Sequence, residues 1–200
     1  MGLSFHYSGS FKKDASLTDL IEEVRDIAEA QQWRYFIFDT AFPPDSFGTK
    51  KYDKETLYGI SFSPPECEPV WLCFLSNGRL SNPINLKFYA GTNDPTEQFY
   101  MDTLSVKTQY AGIETHVFVI KLLKYLAPKY LQDFTLQDEG QYWETGSLEI
   151  LQVTFARYTN AIETLKSSLG KYPKKTNESI EDYFERLLNK ISEDRDKNNK

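Results

Sequence analysis

The 200-residue chain predicts an α+β fold: a mainly antiparallel sheet of about five to six strands packed against helices, followed by a C-terminal helical pair. Three observations carry this. Several short segments of the first half alternate apolar and polar residues with a period of two, as strands with one buried face do. Turn-rich connections join them, and short connections make neighbouring strands antiparallel. Past residue 146 the apolar spacing becomes 3-4, which is helical. The expected organisation is an α+β body over 1–146 and a helical hairpin over 147–200 packed on it, as one structural domain.

Leu3, Phe5 and Tyr7 alternate with Ser4, His6 and Ser8, giving a first strand. Ser16 precedes Leu17, Leu20, Ile21, Val24, Ile27 and Ala28 at helical spacing, so an N-cap and an amphipathic helix follow. Residues 33–38 read as a second strand, and 40–54, with Pro43, Pro44 and Gly48, as a loop. Tyr58, Ile60 and Phe62 mark a third strand, ended by Pro64 and Pro65. Residues 70–75 are apolar throughout, like a strand covered on both faces. Asn77-Gly78 suits a type I′ hairpin turn. Leu80, Ile84, Leu86 and Phe88 then read as its return strand, interrupted by Pro83. Residues 90–99 are turn-rich, and Leu104 and Val106 mark one more strand.

Residues 113–126 form a largely buried helix, with Glu114, Lys121 and Lys124 on one stripe and Pro128 closing it. Residues 129–146 read as irregular, with a short strand at Phe134 and Leu136. Leu148, Leu151, Phe155, Tyr158, Ile162, Leu165 and Leu169 form a three-heptad seam on one long helix, capped near Gly170. A last helix over 179–193 carries Ile180, Phe184, Leu187 and Ile191, and the tail 194–200 is charged. The strand and helix order resembles TATA-binding-protein-like and helix-grip folds, an analogy that carries no function by itself.

Composition excludes several classes. Hydrophobic residues are 40% of the chain, aromatic 15% and charged 26%, as in a folded globular protein. A net charge of −6, from 23 basic and 29 acidic residues, argues against nucleic acid as the partner. No apolar run of membrane-spanning length is present. The first residues lack the pattern of a secretion signal, and His6 stands where myristoylation needs Ser or Thr. With two cysteines, Cys67 and Cys73, the expected setting is a reducing cytoplasm with free thiols.

Standard catalytic motifs are absent. Gly170-Lys171 resembles the end of a phosphate loop, but Leu165 and Tyr172 occupy positions that need Gly and Ser or Thr. His6, His116, Cys67 and Cys73 lack zinc-site spacing, so no metal and no cofactor are expected. Cys73, between Leu72 and Phe74, reads as a small core residue. Two features remain. His116 falls on the apolar side of its helix, where it is either a satisfied structural histidine or a general base at a pocket edge. The segment Asp138-Glu139-Gly140-Gln141-Tyr142-Trp143-Glu144-Thr145-Gly146 interleaves aromatics with carboxylates, and 131–156 holds five acidic residues and no basic one. It is either a pocket wall, an acidic patch for a basic protein, or an ordered loop anchored by Trp143. The polar strand sides (Ser4, His6, Ser8; Gly59, Ser61; Asn85, Lys87, Tyr89) form a candidate ligand surface if they share a face, unless the final helices cover it.

The stretch Thr108-Gln109-Tyr110-Ala111-Gly112, His116, 121–126, Lys129-Tyr130 and 138–146 resembles an uncharacterised bacterial protein family without an assigned activity, best over 108–155. That likeness implies a bacterial, cytoplasmic protein and brings no catalytic roles with it.

The expected function is therefore a non-enzymatic binding or interaction protein using 138–146 toward a basic protein or a small ligand. The alternative is an enzyme whose pocket draws on His116, Asp138, Glu139, Tyr142, Trp143 and Glu144, with no catalytic role assigned. A monomer is expected, its 148–169 seam paired with the last helix; the alternative is a homodimer through that seam.

Overall fold

The computed structural model describes residues 2–198, with side chains to Asp194. Met1 and residues 199 and 200 of the charged tail lie outside the described residues. The order is β1 (Ser4–Phe11), α1 (Leu17–Ala30), β2 (Arg34–Ile37), β3 (Tyr58–Ser63), β4 (Val70–Phe74), α2 (Pro83–Tyr89), α3 (Pro95–Asp102), β5 (Leu104–Lys107), α4 (Gly112–Tyr130), β6 (Leu131–Asp138), α5 (Tyr142–Thr145), α6 (Leu148–Lys171) and α7 (Ile180–Asn198). The class is α+β with antiparallel pairing, as the sequence predicts.

In place of the one sheet expected from the helix-grip or TATA-binding-protein-like order, the six strands form two sheets of three, β5-β1-β6 and β2-β3-β4. Residues 78–81 stitch them together. Phe11 N–H donates to Gly78 O (2.7 Å) and Leu80 N–H to Gly9 O (2.9 Å), while Leu75 N–H reaches Arg79 O (2.8 Å) and Ser81 N–H reaches Cys73 O (2.9 Å). The Asn77-Gly78 turn therefore forms, with Gly78 at φ +90°, but its return is a short bridge and not a strand. Tyr7 adds a second tie, its hydroxyl donating to Trp71 O (2.8 Å) and accepting from Trp71 N–H (2.9 Å).

The expected return strand at 84–88 is helix α2, and the turn-rich 90–99 holds the start of α3. Both begin with a cap followed by proline. Asn82 accepts from Asn85 N–H and Asp94 from Thr96 N–H, each at 2.8 Å, and Pro83 and Pro95 stand at the first helical position, where no N–H is needed. The apolar alternation there marks no sheet face: Leu86 is buried, while Ile84 and Phe88 are exposed.

Helix α4 passes Pro128 and ends at Tyr130. In the last turn the missing N–H costs one bond only, and the buried Tyr130 holds that turn through its hydroxyl on Glu23 (2.7 Å). The chain then enters β6 directly, where the sequence suggested an irregular stretch. A bulge between the β1 partners Ser8 and Ser10, with Asp133 at φ 53°, shifts the inward parity of β6 from Leu131 to Phe134, Leu136 and Asp138. That shift broke the period-two signal.

The main core lies between the sheets and the inward faces of α1, α4 and α6, with Phe5, Tyr7, Leu20, Val24, Ile60, Phe62, Leu123 and Leu151 among its members. Leu57, Leu75, Leu86 and Met101 form a smaller second core. Leu151 and Phe155 anchor α6 on the body, and α7 folds back along α6 with Tyr183 and Leu187 buried. The two ends of the heptad seam, Leu148 and Leu169, stay exposed.

Candidate functional site

Asp138 ends β6 on its inward side, opposite Phe5. Backbone N–H groups of the following turn converge on its carboxylate: Gly140 on Oδ1 (2.7 Å), Tyr142 and Trp143 on Oδ2 (2.8 and 3.1 Å). His116, from the second turn of α4, completes the set with Nε2 at 3.1 Å from Oδ2. Its Nδ1 lies 2.7 Å from Thr108 Oγ1. An imidazole that donates from Nε2 to the carboxylate and accepts the Thr108 hydroxyl proton at Nδ1 satisfies all three groups. Burial pushes the Asp138 carboxyl up, but the His116 hydrogen bond and the Trp143 and Gly140 amides together outweigh it and hold the group below the usual aspartate range.

The surroundings are tight. Phe5 and Phe155 meet the His116 ring edge-on at 6.1 and 5.7 Å between centroids. A Cβ on Gly140 would lie 2.6 Å from Leu151 Cδ1 and 3.2 Å from His116 Nε2, so any side chain here would force the buried Leu151 to shift.

The side chains of the other candidate residues sit around this centre; only the backbone amides of Tyr142 and Trp143 join it. Glu139 turns to the opposite side of the strand, where Oε2 accepts from Ser4 N–H (2.8 Å) and Oε1 stands 3.9 Å from His6 Nε2. Glu144 Oε1 accepts from Asp138 N–H (3.2 Å). Tyr142 is buried in the core. Trp143 is half-buried, edge-on to Phe134 at 5.8 Å, with the Lys124 ammonium over its ring at 5.1 Å and on its carbonyl at 2.6 Å.

Sequence reasoning missed Thr108 and Gln109 as working groups. Gln109 Oε1 accepts from Leu3 N–H and its Nε2 donates to Thr159 Oγ1, both at 3.1 Å. No periodic pattern singles out either residue; the stretch that resembles a bacterial family does contain them.

A hydroxyl, an imidazole and a carboxylate in line is the arrangement of an activated nucleophile. Here Thr108 and His116 have no exposed surface and Asp138 has 4%, so no substrate reaches the hydroxyl. The arrangement orders α4, β6, α5 and the connection before α4. The concavities described on the surface lie elsewhere, beside Phe38, beside Lys13 and Phe42, along α7, and between α4 and α6. Among the described residues no cluster of three or more His, Cys, Asp or Glu could hold a metal ion, and no helix is long and apolar enough to cross a membrane.

The polar strand sides do not share one face. His6, Ser8 and Ser10 pair with Ser105, Gln137, Thr135 and Gln132 on an open face of β5-β1-β6 that the final helices leave uncovered. Gly59 and Ser61 are buried in the other sheet, and Asn85, Lys87 and Tyr89 belong to α2. Comparison of the chain with protein-family models, with curated proteins and with solved structures finds no match in any of the three.

Proposed function

We propose that this is a non-catalytic binding protein of the bacterial cytoplasm, a monomer that recognises a basic protein partner through the carboxylates around the end of β6. The observation that supports it is the division of labour across 138–149. Asp138 and Tyr142 are consumed internally and make the segment rigid, while Glu139 is half-exposed and Glu144 and Glu149 are exposed. Among the described residues neither Glu144 nor Glu149 has a cationic partner, nor does Asp133 further along β6. Unneutralised carboxylates, of which Glu144 is held by the Asp138 N–H, steer a cationic partner and set its register. Burial of His116 weighs against the enzymatic alternative, because a general base must reach its substrate.

The test is affinity capture from the native host by the wild-type protein and by the triple variant Asp133→Asn, Glu144→Gln, Glu149→Lys. Asparagine tolerates the positive φ at position 133. A basic protein bound by the wild type, released by moderate salt and lost in the variant is the expected result. Equal capture by both proteins, or turnover of a substrate that needs His116, overturns the reading.

A further inference from the structure

Exposed strand edges invite pairing, and proteins protect them with bulges, charges, prolines or covering segments. Three of the edges here are managed. The far edge of β4 carries residues 79–81. The outer edge of β5 is engaged by Glu68, whose Oε2 accepts from Lys107 N–H (2.8 Å) and whose N–H donates to Lys107 O (3.3 Å). The outer edge of β6 is broken by the bulge at Asp133 and lined by the exposed polar residues Gln132, Thr135 and Gln137. The outer edge of β2 carries a charge at Arg34 and, through the Tyr35 hydroxyl, Glu29 (2.8 Å), but among the described residues it has no bulge, proline or covering segment. It makes no backbone hydrogen bond among the described residues, and it presents Tyr35 and Phe36 at 38% and 60% exposure.

A groove lies just past the C-terminal end of β2, at Phe38. The Phe36 and Phe38 rings meet at 4.8 Å, and Phe38 forms one wall of a cavity of about 260 Å³ whose other apolar walls are Leu57, Pro83 and Leu86. Lys54 and Lys87 stand at its rim with one carboxylate, Glu55. Arg34 begins β2 itself. Arg34, Lys54 and Lys87 have no ion-pair partner among the described residues, in a chain of net charge −6.

We infer that the free edge of β2 and the adjoining groove dock an extended, acidic peptide segment of a partner protein. The segment adds a strand to β3–β2, sets an apolar side chain against Phe38, Pro83 and Leu86, and meets Lys54, Lys87 and Arg34 with its carboxylates. Strand addition supplies main-chain bonds, and pockets beside the edge supply specificity. The Phe38 N–H is bonded to Gly59 O (2.9 Å). By the alternation of an antiparallel ladder, the Tyr35 and Ile37 amides therefore face outward to receive the new strand. This surface is separate from the acidic one proposed above, and either can fail without the other.

The probe is a phage-displayed library of random short peptides selected on the full-length protein. The best binder is then synthesised and measured against the wild type, Phe36→Lys and the double variant Lys54→Glu/Lys87→Glu. All three substituted side chains lie at the surface, and cooperative thermal unfolding establishes that the variants are folded. The expected result is enrichment of sequences that mix Asp or Glu with apolar residues. Dissociation constants should rise at least about tenfold in both variants, and hydrogen exchange at Tyr35 and Ile37 should slow when the peptide binds. No enrichment, enrichment of basic peptides, or unchanged exchange at Tyr35 and Ile37 overturns the proposal. So does a dimer in sedimentation that Phe36→Lys dissociates, since a second copy would then own the edge.

Discussion

His116 Nε2 stands 3.1 Å from Asp138 Oδ2, and neither side chain reaches solvent. The pair joins the second turn of α4 to the end of β6. Through Thr108 on one side and the Gly140, Tyr142 and Trp143 amides on the other, it fixes four stretches of chain around one carboxylate. Removing one partner of such a pair leaves the other buried and unsatisfied, which costs more than the pair itself contributes. Asp138→Ala should therefore lower stability by about 3–5 kcal/mol. Asp138→Asn, which keeps the shape and some of the hydrogen bonds, should cost about 1.5–3 kcal/mol. Urea unfolding at neutral pH measures both.

Acid should act on the same group. The folded-state carboxyl of Asp138 titrates below the ordinary aspartate range, so as pH falls the unfolded chain takes up its proton first. The stabilisation is complete above the unfolded value, about pH 4. It is lost as pH falls from there through the lower folded value. Urea midpoints of the wild type should fall more steeply below about pH 4 than those of Asp138→Asn. Parallel curves would show that Asp138 carries no such linkage.

Gly140→Ala tests the packing against the same carboxylate. The new methyl would meet Leu151 Cδ1 at 2.6 Å, Asp138 Oδ1 at 3.1 Å and His116 Nε2 at 3.2 Å, and Leu151 is fully buried. Overpacking of this kind costs about 1–3 kcal/mol. The cost should shrink when Leu151→Ala is present in the same chain, because the second substitution opens the space the methyl needs. Strict additivity in a double-mutant cycle would place the strain elsewhere.

Tyr7→Phe should separate the two sheets energetically without opening a cavity. The hydroxyl donates to Trp71 O and accepts from Trp71 N–H, and burial pushes the phenol far above its ordinary value. Its loss leaves a backbone donor and acceptor unpaired at half-buried Trp71, at about 1–3 kcal/mol. Faster amide exchange at Trp71 should accompany the lower stability.

The thiols should be inert in the native state. Burial, with a smaller contribution from Glu68, pushes the Cys67 thiol up to about 12, and burial alone places Cys73 well above the ordinary range. The thiolate fraction of Cys67 at pH 8 is then on the order of one in ten thousand. A chromogenic disulfide reagent should find no fast-reacting thiol in the native protein and two in urea. A fast native phase would contradict this burial.

Legibility of the sequence varied with the physics of each segment. Helix α1 was readable because its cap and apolar stripe are local: Ser16 accepts from Asp19 N–H at 3.1 Å, and Leu20, Ile21 and Val24 are buried as their spacing predicts. The sequence of helix α2 reads as a strand, although Asn82-Pro83 carries a local helix-start signal, because Ile84, Leu86 and Phe88 also fit a period of two. Strand β6 reads only in part, because one bulged residue reverses its parity. For the site, the pattern picked out His116 and Asp138 singly, since an apolar-facing histidine and a dense acidic segment are visible in one dimension. Their meeting was not visible, and neither was Thr108.

What the sequence alone determined is therefore local: the α+β class, most element positions, and which polar residues needed explanation. The apolar stripe it predicts for α7 is only partly right, since Ile180 and Phe184 are exposed and Tyr183 is buried in their place. Only the tertiary structure decided that the strands divide into two sheets, that the imidazole and carboxylate are sealed from solvent, and that the outer edge of β2 is left unpaired among the described residues. The reason is that caps, turns and amphipathic faces depend on neighbours a few residues away. Sheet order, burial and edge exposure depend on contacts between segments such as β1, 78–81 and β4, whose separation along the chain carries no periodic signal.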